Sequence, residues 1–174
     1  MVSFNVITMD LETKLSKNNI MEPISAVIYD GKDYQTFFIS DYRNSDQMLL
    51  DSIKYLMLDK YNNYHIYLQN FSKFDGIFLL KIIASISDNI KTLIRDNNLI
   101  TISLKFYSLK TNMDSKNKHK CIIHFHDSLL LLPSSLAKLS CNFGVESKGS
   151  FDFNLLNDAK TKEQLNIIKD DLLK

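Results

Sequence analysis

Tryptophan is absent from this chain, and proline, glycine and cysteine are scarce: two, four and two in 174 residues. Two cysteines, Cys121 and Cys141, are too few for a disulfide framework and lack metal-site spacing, so they read as reduced thiols. So little proline and glycine leaves no low-complexity linker. There is also no internal repeat, and the length fits one domain with a core of ordinary size. No apolar run approaches the roughly 18 residues that a membrane span needs. Ile77 to Ile83 is broken by Lys81, and no membrane partner is expected. The amino terminus is expected to enter a strand almost at once, with no signal or transit peptide ahead of it. Charge of one sign is missing too. With 21 basic and 20 acidic side chains the net charge is +1, so a nucleic-acid surface would have to be a local patch.

What is present is a soluble globular composition, 45% hydrophobic and 24% charged. It is biased toward Asn, Lys, Ile and Leu, as in proteins translated from AT-rich genomes. Residues 2–9 read as a strand. Pro23 to Tyr29 is a second, with Ile24, Ala26 and Ile28 alternating, and after the turn Asp30-Gly31-Lys32 comes a third, Tyr34 to Ile39. Met48, Leu49, Ile53, Leu56 and Met57 recur at helical spacing and predict a helix from Ser45, as N-cap, to Asp59. A short strand, His65 to Leu68, precedes a second helix beginning at Ser72 or Asp75 and carried by Ile77, Phe78, Leu80, Ile82 and Ile83. Leu99 to Tyr107 alternates and pairs with Cys121 to His126 across a basic loop, Lys110 to Lys120. Pro133 is expected in the first turn of a helix running to about Cys141. Thr161-Lys162-Glu163-Gln164 starts a last helix, to Lys174, with a capping box. Strands followed by alternating helix and strand predict a mixed α/β sheet.

Two acidic segments carry the chemistry. Asp10-Leu11-Glu12-Thr13 closes the first strand, where residues at i and i+2 share a face. Asp10 and Glu12 therefore aim at one point, while Met9 and Leu11 face the other side and are available for burial. Asn70-Phe71-Ser72-Lys73-Phe74-Asp75 closes another strand and can bring a third carboxylate to the same spot. Three hard oxygen ligands suit Mg²⁺ or Mn²⁺ and phosphoryl chemistry. The ordinary readings are solvated acids where a strand runs out, a core Phe74 and an N-cap Asp75. Requiring both motifs, in this order, narrows the choice. His124 and His126 lie two apart with no Cys or His at ligand spacing, and read as half-buried histidines rather than zinc ligands. Tyr61, Tyr64, Tyr67, Phe71 and Phe78 offer stacking faces for bases, or, for most of them, core packing.

On these motifs the chain resembles the 3′–5′ exonuclease domain of family B DNA polymerases, most closely the protein-primed branch of small bacteriophages and linear mitochondrial plasmids. The resemblance runs over nearly the whole chain. It implies an RNase H-like (DnaQ-like) fold, a mixed sheet flanked by helices. It also implies two-metal hydrolysis of the 3′-terminal nucleotide, with Mg²⁺ or Mn²⁺ held by Asp10, Glu12 and Asp75. Thr13, Asn70 and Phe74 match positions that hold the single-stranded primer end. Asp127-Ser128-Leu129 looks like the family's Asp-Ser-Leu segment, which places contacts to single-stranded DNA and to a terminal (priming) protein on Ser128 and Leu129. Lys148 fits a lysine that assists exonucleolysis. Without the family, that last pair of segments reads as a strand end before a proline-started helix and as an exposed lysine before a turn.

The family's third motif, Tyr-x-x-x-Asp, is not found on the carboxyl-terminal side of the second motif. Asp170 and Asp171 are candidates by chemistry, but no tyrosine stands four residues before either. The chain thus reads as a single exonuclease-like domain over residues 1–174, incomplete at its carboxyl end and without polymerase palm, fingers or thumb. Its partners would be a primer 3′ end, the rest of the polymerase and the priming protein. A non-catalytic remnant that binds single-stranded DNA or terminal protein is the alternative, and an exonuclease acting on RNA a weaker one. Mitochondrial localisation follows from the resemblance and the AT-rich bias; a viral or plasmid product fits equally.

Overall fold

In the computed structural model, residues 5–16, 18–107 and 119–145 are described. Seven strands form one mixed sheet: β1 (Val6–Leu15), β2 (Met21–Tyr29), β3 (Tyr34–Phe38), β4 (Tyr64–Leu68), β5 (Ile90–Arg95), β6 (Asn98–Tyr107) and β7 (Lys120–Asp127). Their spatial order is β3-β2-β1-β4-β7-β6-β5. The central pairs β1–β4 and β4–β7 are parallel, whereas the outer pairs are antiparallel. The helices are α1 (Ser45–Leu56), α2 (Asp75–Ile86) and α3 (Leu136–Phe143).

Alternation decides which side of the sheet is covered. Ile7, Met9 and Leu11 of β1 are at most 5% exposed, and Ile66, Leu68, Ile123 and Phe125 are buried with them. Met48, Leu49, Ile53 and Leu56 of α1, and Leu79, Ile82 and Ile83 of α2, complete this core. The burial expected for Met9 and Leu11 is therefore observed. Tyr61 and Phe71 are buried, and Tyr64 and Phe78 pack against the core, so these four aromatics serve packing. Tyr67 is different: it lies on the opposite, polar face against His126, with ring centroids 5.1 Å apart.

Several boundaries differ from those read in the sequence. β1 does not end at the acidic pair but continues to Leu15, because β2 pairs with it as far as Met21. The register shifts between Glu12 and Thr13, where Ile24 is skipped, and Pro23 sits beyond the reach of β3 at that bulge. Asn44, not Ser45, caps α1, its side chain accepting from the Gln47 amide at 2.9 Å. Phe74 occupies the N-cap of α2, so the helix starts at Asp75 rather than Ser72. Pro133 lies ahead of α3, which Ser135 caps and Gly144 ends in the left-handed conformation at φ +64°. β5 was not foreseen. The helix expected over residues 161–174 lies outside the described residues. Among the described residues no helix is long and apolar enough to cross a membrane.

Candidate active site

The site is assembled where β1 passes the ends of β4 and β7. Pairing of Val6 with His65 and of Thr8 with Tyr67 sets β1 and β4 in parallel register. The chain leaving β4 at Leu68 therefore turns near Asp10 and Glu12. Asn70 makes that turn at φ +60°, a left-handed conformation that asparagine tolerates better than most residues. Its carbonyl accepts from the amides of Lys73 and Phe74, both at 3.2 Å, and leads the backbone into α2. Asn70 itself is exposed, while Phe74 is half-buried and edge-on to Phe78 at 5.8 Å.

Asp75 is the first residue of α2 and only 3% exposed. Its Oδ1 is buried without a hydrogen-bond partner. Burial first, and then the negative charges of Asp10, Glu12 and Asp127, push its carboxyl up to about 7. Asp10, Glu12 and Asp127 are thus near enough for their charges to act on Asp75. Asp10 is exposed, and Glu12 and Thr13 are half-buried. As the side chains stand, no three metal-ligating groups among the described residues surround one point. Even so, hard carboxylate oxygens, one of them buried and orphaned, are the donor set Mg²⁺ or Mn²⁺ selects.

Three residues assigned no site role from sequence, Gly76, Ser72 and Ser25, surround this arrangement. Gly76 follows Asp75, and a Cβ there would stand 2.6 Å from the Phe71 carbonyl oxygen and 3.1 Å from Leu99 Cδ2. Only glycine lets the Gly76 amide reach that carbonyl at 2.9 Å. Ser72 donates to Asp127 Oδ2 from its amide at 2.9 Å and from its hydroxyl at 2.5 Å, and the Leu129 amide donates to Oδ1 at 2.9 Å. Asp127 thus clasps the approach to α2 onto the end of β7. Ser25 lies directly across from Glu12 on β2, fully buried and with an unpartnered hydroxyl. No local motif marks it, because its place depends on strand register.

Ser128 turns inward: its Oγ lies 2.7 Å from Gln69 Oε1 and 3.2 Å from the Leu68 carbonyl, either of which can accept its proton. Leu129 beside it is half-buried. Lys148, Asp170 and Asp171 lie outside the described residues. Cys121 is buried and Cys141 exposed.

A seven-stranded mixed sheet flanked by helices is an α/β fold of the RNase H-like kind. The fold is shared with solved structures of Phi29 DNA polymerase. One, complexed with single-stranded DNA, aligns with a TM-score of 0.61 at 19% identity, over 97% of this chain and 30% of that one. A ternary complex with primer-template DNA and incoming nucleotide gives the same TM-score over 95% and 28%. The family "DNA polymerase type B, organellar and viral" matches residues 55–172. A probable DNA polymerase of Neurospora intermedia is 34% identical over 161 residues, 84% of this chain and 16% of that protein. Another, of Ascobolus immersus, is 31% identical over 158 residues, 90% of this chain and 12% of that protein. The chain belongs to the organellar and viral type B DNA polymerase family. It spans less than a fifth of the length of these two relatives.

Proposed function

We propose that the chain is the 3′–5′ exonuclease region of a protein-primed family B DNA polymerase, and that it removes the 3′-terminal nucleotide of a single-stranded primer end. The observation that supports this most is Asp75: an almost wholly buried carboxyl with an orphaned oxygen, coupled to the charges of Asp10 and Glu12. A divalent ion supplies a bound water of lowered pKa and charge for the scissile phosphate. Asp10, Glu12 and Asp75 would hold such ions. Asp75 would do so from the start of a helix that Gly76 and the Ser72–Asp127 clasp fix in place. Thr13, Asn70 and Phe74 receive the frayed strand, and an unpaired end reaches them at the least unstacking cost. Ser128 and Leu129 extend that track and meet the priming protein, and Lys148 assists hydrolysis. An organellar, plasmid or viral setting belongs to the same reading.

Among the described residues no three ligating groups surround one point, so the chain is expected to bind DNA and metal yet cleave slowly on its own. The same observation motivates the second reading, a non-catalytic remnant. Incubation with a 5′-labelled single-stranded oligonucleotide and Mn²⁺ tests both. The expected result is slow shortening from the 3′ end that Asp10→Ala and Asp75→Ala abolish. Brisk release of mononucleotides would overturn the impairment by showing that another residue completes the site. DNA retained without any shortening supports the remnant, and neither cleavage nor retention would sink both readings.

A further inference from the structure

On the polar face of the sheet, beside the acidic site, three histidines meet. His65 on β4 pairs in register with His124 on β7, and Tyr67 pairs with His126. All four side chains point away from the core that takes up Ile66, Leu68, Ile123 and Phe125. The His65 ring lies 5.0 Å from each of the other two imidazoles, which are 6.1 Å apart. His65 Nδ1 and His126 Nε2 share a hydrogen bond of 2.8 Å. On the far side, Nδ1 of His124 meets Ser103 Oγ at 2.9 Å, and Nδ1 of His126 meets Thr101 Oγ1 at 3.4 Å.

We propose that His65, His124 and His126 form a second metal site, for a single borderline divalent ion such as Zn²⁺, Ni²⁺ or Cu²⁺. The two hydroxyls on β6 are the key. An imidazole that gives Nδ1–H to an outer partner presents its Nε2 lone pair inward, and ligating histidines nearly always have such a partner. Ser103 and Thr101 supply it to His124 and His126, and His65 offers Nδ1. The ion takes the place of the proton now lying between His65 and His126. Imidazole donors select these metals over Mg²⁺, so the cluster does not compete for the cation of the carboxylates.

Among the described residues no three ligating groups surround one point, so the histidines must shift to take up an ion. Two nitrogens at about 2.0–2.1 Å from a tetrahedral ion stand about 3.3 Å apart. Loading therefore opens the His65–His126 contact by about half an ångström while His124 and His126 keep their outer partners on β6.

Calorimetric titration of the full chain with Zn²⁺, with Mg²⁺ in excess throughout, tests the proposal. The expected result is one Zn²⁺ per chain. Affinity should fall at least tenfold in His65→Gln and in His126→Gln, and by about tenfold in Ser103→Ala, which removes only an outer partner. Asp10→Asn and Asp75→Asn should leave it unchanged. Loss in the acid variants instead would place the ion at the carboxylates, and no Zn²⁺ binding, or equal binding in the histidine variants, would overturn the site. Should the histidine variants unfold, protection of the wild-type histidines from diethyl pyrocarbonate by Zn²⁺ decides: protection supports the site and full modification refutes it.

Discussion

A carboxyl group that is 3% exposed, with one oxygen lacking a partner, is costly to ionise unless a cation meets it. Asp75 is that group, and its raised pKa has a definite consequence. Where the folded state holds a proton that the unfolded chain has released, stability falls as pH rises. For Asp75 that window runs from its ordinary 3.8 up to about 7. His126 has the opposite sign: its folded pKa is about 4 against 6.5, so its contribution is lost as pH falls through that range. The two oppose each other at mildly acid pH, and a difference measurement isolates Asp75. Without divalent metal, Asp75→Asn should match the wild type near pH 4 and become more stable by a few kcal/mol at pH 8, at about 1.4 kcal/mol per pKa unit. Saturating Mn²⁺ should restore the wild type selectively. Thermal unfolding across pH, with and without Mn²⁺, checks this; a pH-independent difference would refute it. Ser25, the other buried orphan, gives a simpler test. Removing an unsatisfied hydroxyl should stabilise the metal-free chain, so Ser25→Ala should raise stability by about 1 kcal/mol in denaturant titration.

At the scale of elements, the acidic strand and the helix behind it are held by different means. β1 is fixed by alternation, which is why the burial of Met9 and Leu11 and the shared face of Asp10 and Glu12 were legible in the sequence. The start of α2 is fixed by close approach. Gly76→Ala drives a methyl into the Phe71 carbonyl and should cost about 2 kcal/mol, seen as a lower denaturation midpoint. It should also weaken Mn²⁺ binding by moving Asp75. Ser72→Ala removes one of the two donors to Asp127 Oδ2 and should cost about 1–3 kcal/mol in the same assay. Neither contact could be read from spacing, because both join residues brought together only by the turn after β4. The extension of β1 past Glu12 was hidden for the same reason, since β2 determines it. β5 escaped because it is an edge strand, exposed along nearly its whole length, with Lys91 and Arg95 and no buried alternation to mark it.

For the whole molecule, the sheet separates two chemistries. One face is the apolar core under α1 and α2. The other carries the carboxylates of β1 and, one strand away, the imidazoles of β4 and β7. His124 and His126 look unaccompanied in the sequence because their third neighbour, His65, lies on a different strand. The acidic motifs were recognisable because type and spacing are local, whereas the meeting proposed for them depends on parallel register. That meeting is the central claim, and Mn²⁺ binding followed by electron paramagnetic resonance tests it most directly. The wild-type chain should bind Mn²⁺ near pH 7.5, and Glu12→Gln and Asp75→Asn should each weaken it at least tenfold although they lie on separate elements. Equal Mn²⁺ affinity in wild type and both variants would contradict the account.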